Sequence, residues 1–364
     1  MTRVIVAAGG GGDAVAAAML DTALYGAHDP AVILTYAWDR LLIDPLPGPR
    51  GPADFTGLQP LTPHVHTVPA DAEPIAPAGS TLPRLAAELP HTFALLDPHH
   101  GATGIARQVE ELLTHLKPDS VDLLDVGGDI LARGDEPTLR SPLGDALVLA
   151  ACSQVTAQIR LLIAGPGLDG EIPADALHDR LGALVCTLTP EHTEALGTVL
   201  DWHPSEATAM LTATARGVRG LCEVRDAGLP VPLTGQGPTV HQTGLDQALN
   251  HNELARAVVA TTTLDAAEQH SRRVCGFSEI DYERHKAAHL GNQTPHQLDP
   301  AATLRQLDQF EAAAHARGIT HTTFRRITEA LNLGGTQRQP LRNLLLTHRP
   351  EQHEHSLWRI TTRS

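Results

Sequence analysis

The 364-residue chain predicts an α/β fold, a mostly parallel, doubly wound sheet with helices on both faces and a helical C-terminal addition. Three observations predict it. Through the first 170 residues, short continuous apolar runs alternate with alanine- and leucine-rich stretches, the βαβα order of a parallel sheet covered on both faces. Two of those runs end in a glycine-aspartate loop, Gly9 to Asp13 and Asp125 to Asp129, just before a helix-like segment. Past Ala174 the pattern turns mainly helical.

The strands read, in order, as Arg3–Ala8, Ala31–Tyr36, Thr92–Asp97, Ser120–Val126 and Gln158–Ala164, and the helices between them as Ala14–Tyr25, Gly104–Leu116 and Leu143–Gln154. From Asp44 to Pro83 the stretch is packed with Pro and Gly, which predicts a long irregular connection with one short strand near His64 to Val68. Between Ala174 and Ala288, the segments HDRLGALVCTL, PSEATAMLTATARGVRGLCEVRDAG and HNELARAVVATTTLDAAEQHSRRV read as the clearest helices, with Pro230–Thr234 as an added strand. GNQTPHQLDPA reads as a linker, followed by helices at Thr303–Ala316 and Thr322–Leu331 and an edge strand within His355–Thr361. Three units follow: an α/β core over 1–200, a mainly helical part packed on it over 201–290, and a helix pair with a tail over 291–364.

Composition narrows the function. A hydrophobic content of 42% suits a large buried core. A net charge of -15 argues against nucleic-acid binding and against docking on an anionic membrane, which leaves a small molecule as the expected partner. It also weakens a helix-turn-helix reading of the C-terminal helix pair. The four cysteines are widely spaced, with no CxxC, and no apolar run approaches the length of a membrane span, so a cytoplasmic setting is expected. Only two lysines stand against 25 arginines, as high-GC bacterial codon usage would produce. The chain carries neither a GxSxG elbow nor a papain-like cysteine context. The oligomeric state stays open.

The loops carry the chemistry. Four glycines ahead of a helix let the backbone approach a ligand, and a helix N-terminus favours an anion. Gly10, Gly11, Gly12 and Asp13 are therefore candidate substrate-binding residues, although Asp13 serves equally as a helix cap. The second loop puts Asp125, Asp129, Asp135, Glu136 and Asp145 within 21 residues. Carboxylates gathered at a strand end repel one another unless a cation, hydrogen-bond donors or shared protons intervene. Oxygen ligands of this kind suit Mg²⁺ or Mn²⁺, so Asp125 and Asp129 are the candidate metal ligands. Asp129, Glu136 and His100 are the candidate catalytic residues, and Arg50, Gly128, Ser141 and Asp169 complete the substrate-binding set. Asp169 lies in GPGLDGE, a third glycine-rich loop after a core strand, and a helical run of charges including Glu206, Glu223 and Arg225 fits a clamp on an anionic substrate and a solvated charged face equally well.

Together AAGGGGDAV, PLPGPRGPADF, DVGGDIL, SPLGDA and GPGLDGE resemble an uncharacterised family of bacterial and archaeal proteins classed as a domain of unknown function, over roughly the first 290 residues. The resemblance implies a shared site without naming its chemistry. The acidic loop is more weakly similar to that of D-glutamate cyclases, which runs Asp-Gly-Gly-Asn-Glu; Asp125-Val126-Gly127-Gly128-Asp129 has neither the Asn nor the following Glu. The residues together predict a metal-assisted lyase, cyclase or hydrolase acting on a small anionic metabolite, or alternatively a non-catalytic nucleotide- or metabolite-binding protein.

Overall fold

The computed structural model describes residues 2–291 and 298–361. Five parallel strands form the centre of a nine-stranded sheet: β1 (Arg3–Gly10), β2 (Val32–Tyr36), β3 (Thr92–Leu96), β4 (Ser120–Val126) and β5 (Arg160–Ala164). Their spatial order is β5-β4-β1-β2-β3. The chain thus starts in the middle, steps outward to β3, and returns to the other side of β1 to lay down β4 and β5. Between β1 and β4 the winding reverses, and such a switch point leaves a crevice beyond the carboxyl ends of the strands.

Successive residues of each central strand enter different cores, because a strand turns alternate side chains to opposite faces. Ile5 and Ala7 of β1, Ile33 of β2, and Phe93 and Leu95 of β3 pack on one face with α1 (Gly12–Tyr25). Val4, Val6, Leu34, Ala94 and Leu96 pack on the other with α2 (Gly101–Leu116) and α3 (Pro142–Cys152). Burial on both faces explains why these strands read as unbroken apolar runs.

Two antiparallel strands extend the sheet beyond β5. β6 (Ala183–Thr187) pairs with β9 (Thr239–Thr243), which pairs with β5. On the far side the expected short strand appears as His66–Thr67, paired with β3 and with Gln59–Pro60. The long connection is otherwise irregular, apart from a short helix (Leu82–Glu88) and a two-residue pairing of Phe55–Thr56 with Glu73–Pro74.

A second, five-stranded sheet has the order β8-β7-β10-β12-β11. The hairpin of β7 (Gly220–Val224) and β8 (Leu229–Leu233) comes from the middle of the chain, and β10 (His321–Thr322), β11 (His353–Glu354) and β12 (Leu357–Arg359) come from its end. Helix α4 (Glu206–Ala215) lies between β6 and β7 in the chain, α5 (Leu264–Val274) and α6 (Glu279–Gly291) follow β9, and α7 (Pro300–Ala316), α8 (Phe324–Ala330) and α9 (Arg338–His348) cover the small sheet. Leu307, Ile327, Leu341, Leu345 and Trp358 form the core beneath these last helices.

The structure corrects several expected elements. The ALVCT part of HDRLGALVCTL is β6, and the GLCEV part of the next segment is β7; apolar runs this short fit either state, and pairing with a neighbouring strand decided both. β9 had been expected as neither helix nor strand. β12 lies inside the small sheet, and the edge is β11. Between α7 and α8 the chain enters a sheet as β10, which is not the tight turn of a helix-turn-helix. Residues 292–297 of the expected linker lie outside the described residues. Among the described residues, no helix is long and apolar enough to cross a membrane.

Candidate active site: a carboxylate cavity at the switch point

Residues Ala7 and Leu124 stand level in the β1–β4 pairing, so the loops after these two strands sit side by side. The loop from β1 enters α1 directly, with Gly11 at the cap position and no side chain capping the helix. The Asp13 carboxylate turns back to accept the Gly9 N–H at 2.9 Å. After β4, Gly127 and Gly128 take the positive φ values 121° and 101°. Gly127 is required twice over, because a Cβ there would also stand 2.3 Å from the Asp169 carboxyl carbon. The third loop, after β5, is tied to the second by the Gly167 N–H, which donates to the Gly127 carbonyl at 2.6 Å.

These loops and the first turn of α3 enclose a cavity of about 120 Å³. Nine acidic side chains line it: Asp13, Asp39, Asp125, Asp129, Asp145, Asp169, Glu171, Glu206 and Glu279. Two sets of three converge. Oxygens of Asp13, Asp125 and Asp145 lie within 4.8 Å of one another, and so do oxygens of Asp129, Asp169 and Glu171.

The two sets differ in what already satisfies them. Glu171 accepts the backbone N–H groups of Arg140 (2.7 Å) and Ser141 (3.0 Å), the Ser141 hydroxyl, and Arg225 at 2.9 Å. Burial alone would raise its pKa, but Arg225 and these donors outweigh it and hold Glu171 below the usual carboxylate range. It is a fastener of the site. In the first set, Asp125 and Asp145 are 1% and 4% exposed, and the Asp125 Oδ2 and Asp145 Oδ1 atoms have no hydrogen-bond partner. Burial, then the neighbouring carboxylates, pushes Asp125, Asp129 and Asp145 well above the ordinary range. Burial also raises Asp13 and Asp169 to about 7, and Glu279 to about 8. Buried carboxylates with idle oxygens are costly unless a proton or cation satisfies them. Oxygens placed around Mg²⁺ or Ca²⁺ at the usual bond lengths stand about 3 to 5 Å apart, which Asp13, Asp125 and Asp145 match.

The structure brings Gly10, Gly11, Gly12, Asp13, Asp125, Asp129, Ser141 and Asp169 to the cavity, and leaves four other candidates out of its lining. Glu136 closes a turn by accepting the N–H groups of Arg133 and Gly134 and pairing with Arg180 at 2.9 Å. His100 is exposed at the start of α2. Arg50 pairs with Asp44 and donates to the carbonyls of Pro47 and Gly48, bracing the long connection. Gly128 packs behind the cavity, where a Cβ would meet Leu177 at 2.7 Å. Asp145 is legible as an acid of the second loop region, and it joins Asp13 and Asp125 in one set while Asp129, also next to Asp125, belongs to the other. His203, Arg325 and Glu279 also line the cavity, and as isolated residues far apart in the chain they carried no pattern to find them by.

A family model described as protein of unknown function (DUF1152) matches residues 4–287. The chain belongs to that family. Its matched span contains all nine acids of the cavity and ends before Arg325, which reaches the cavity from α8. No curated protein and no solved structure gave a match.

Proposed function

We propose that this DUF1152 protein is an enzyme that binds a divalent cation, Mg²⁺ or Mn²⁺, through Asp13, Asp125 and Asp145, and acts on a small anionic metabolite by lyase, cyclase or hydrolase chemistry. The observation that carries the reading is the pair of buried, partnerless oxygens, Asp125 Oδ2 and Asp145 Oδ1, at the sheet's switch point. A cation held there would act as a Lewis acid on a substrate oxygen. The chain's own groups supply the rest. The uncapped first turn of α1 and Arg40 and Arg225 at the cavity wall favour an anion. Asp169, with its pKa at about 7, can give or take a proton near neutral pH. Its Oδ1 is held by the Glu171 N–H at 2.9 Å, while Oδ2 is buried without a partner.

The test is calorimetric titration and thermal unfolding with MgCl₂ and MnCl₂, on wild type and on Asp125→Asn and Asp145→Asn. A cation at a hundred times its Kd stabilises the native state by about 2.7 kcal/mol. That gain is expected in wild type and absent from both variants; an equal gain in all three proteins removes the cation from these residues. Incubation with phosphorylated and carboxylated metabolites, followed by product detection, then decides for catalysis, and a ligand that binds and stays unchanged decides against it.

A further inference from the structure

Where the carboxylate cavity opens toward the C-terminal segment, the sign of the charge reverses. His203, Pro204, Ser205 and Arg325 line the carboxylate cavity and also a smaller adjoining one, whose other walls include Arg338, Arg342 and Phe324. Three arginines therefore converge beside a site lined with acids. The charges of Arg338 and Arg342 are not fully answered within the protein. Arg342 pairs with Asp201, a half-exposed side chain, and its buried Nε has no partner. Arg325 is shared between Glu206 at 3.2 Å and Glu329 at 3.6 Å. Arg338 donates to the Trp202 carbonyl and forms no ion pair among the described residues. Burial, then the Arg84 charge, lowers its pKa to about 10, as expected for a cation without a counter-charge.

His203 points the same way. Its Nδ1 accepts the Ser205 N–H at 3.2 Å, which puts the ring proton on Nε2. That Nε2 is buried with no partner, in a residue 7% exposed, and a Cβ on Gly11 would stand 3.6 Å from it. Burial, then Arg338, holds the ring neutral with a pKa of about 3. The idle N–H thus faces the glycine loop from the arginine side. A buried donor is left unmade at a cost unless a ligand acceptor meets it.

We propose that Arg338, Arg342, Arg325 and His203 form an oxyanion subsite for the phosphoryl group of the substrate. The ligand is then a phosphorylated metabolite that spans from this subsite to the carboxylates over Gly11. A phosphoryl group fits better than a carboxylate because it offers three oxygens and a charge near -2 to a set of planar guanidinium donors. The three arginines lie beyond the DUF1152 span, so the C-terminal segment supplies substrate recognition to a cavity whose acids are the family's. This inference rests on the reading of the cavity as a substrate site, and it can fail separately from the cation.

The experiment titrates inorganic phosphate, succinate and MgCl₂ separately into wild type, Arg338→Gln and Asp125→Asn, following heat and unfolding temperature. Circular dichroism establishes that each variant is folded. Phosphate is expected to bind wild type and Asp125→Asn, to bind Arg338→Gln about tenfold more weakly or less, and to leave the Mg²⁺ response of Arg338→Gln intact. Arg342→Gln, titrated with inorganic phosphate in the same way, gives a second readout should Arg338→Gln not fold: weakened binding is expected, and unchanged binding overturns the subsite. Phosphate binding that is absent from wild type, or unchanged in Arg338→Gln, overturns the subsite. Succinate binding as tightly as phosphate overturns the phosphoryl assignment. A wild type that binds phosphate but no cation sinks the cation reading and leaves the subsite standing.

Discussion

Asp125 shows how a residue's surroundings set its behaviour. Its carboxyl is buried among other acids, and both burial and their charges favour its protonated form in the cation-free protein. Asparagine imitates that protonated state. Asp125→Asn is therefore expected to match or exceed wild type in stability without added metal, by up to about 2 kcal/mol, because it removes repulsion among the acids. Chemical denaturation in the presence of a chelator measures this, and a loss of more than about 1 kcal/mol would mean that the carboxylate is anchored by contacts instead. Glu136 is the counterexample. In the sequence it looked equivalent to Asp129, but Gly134, at φ 112°, turns the chain back so that its carboxylate binds local N–H groups and Arg180. Composition counts acids, and only backbone direction separates those that converge from those that close turns.

At the scale of elements, the glycine-aspartate loops were legible because they need local signals alone: an apolar strand, glycines free to take unusual φ, and a helix start. β6 and β7 were not, since pairing with distant strands decided them. β7 also shows how the C-terminal segment is tied to the rest. Glu223 in its centre is fully buried and pairs with Arg326 at 2.9 Å and with Arg317, both from beyond residue 298. Glu223→Ala leaves two arginines facing an empty pocket and is expected to cost about 3 kcal/mol, read as a lower urea midpoint. A change under about 1 kcal/mol would show that the arginines relax into solvent. α9 had no sequence signature because its buried apolar residues, Leu341 and Leu345, are few and face a core that exists only once α7 and β12 have assembled.

For the whole molecule, the acids predict a pH profile. Asp13 and Asp169 have folded pKa values of about 7 and Glu279 of about 8, all above their ordinary values. The native state therefore keeps protons that the unfolded chain has released, and this stability, complete near pH 4, is lost as pH climbs through 7 to 8. His203 acts in the opposite sense. With its folded pKa at about 3, its contribution is present above pH 6.5 and is lost as pH falls toward 3. Without cation, the unfolding temperature is expected to peak in mildly acidic solution and to fall toward pH 8. With Mg²⁺ the fall should shrink, because a cation replaces the protons. Unfolding curves from pH 5 to 8 with and without Mg²⁺ check this; a flat profile in chelator would contradict the shared-proton picture.

The sequence by itself determined the parallel core and the three glycine-rich loops, because strand burial, helix starts and backbone freedom are written in neighbouring residues. It also placed Asp13, Asp125, Asp129 and Asp169 at strand ends. Only the tertiary structure decided which acids share a cavity, since reversal of the winding between β1 and β4 sets residues 13, 125 and 145 side by side. It likewise decided that arginines from the C-terminal segment stand at that cavity's edge. Both are contacts between residues far apart in the chain, and they are fixed by how whole elements pack rather than by any local pattern.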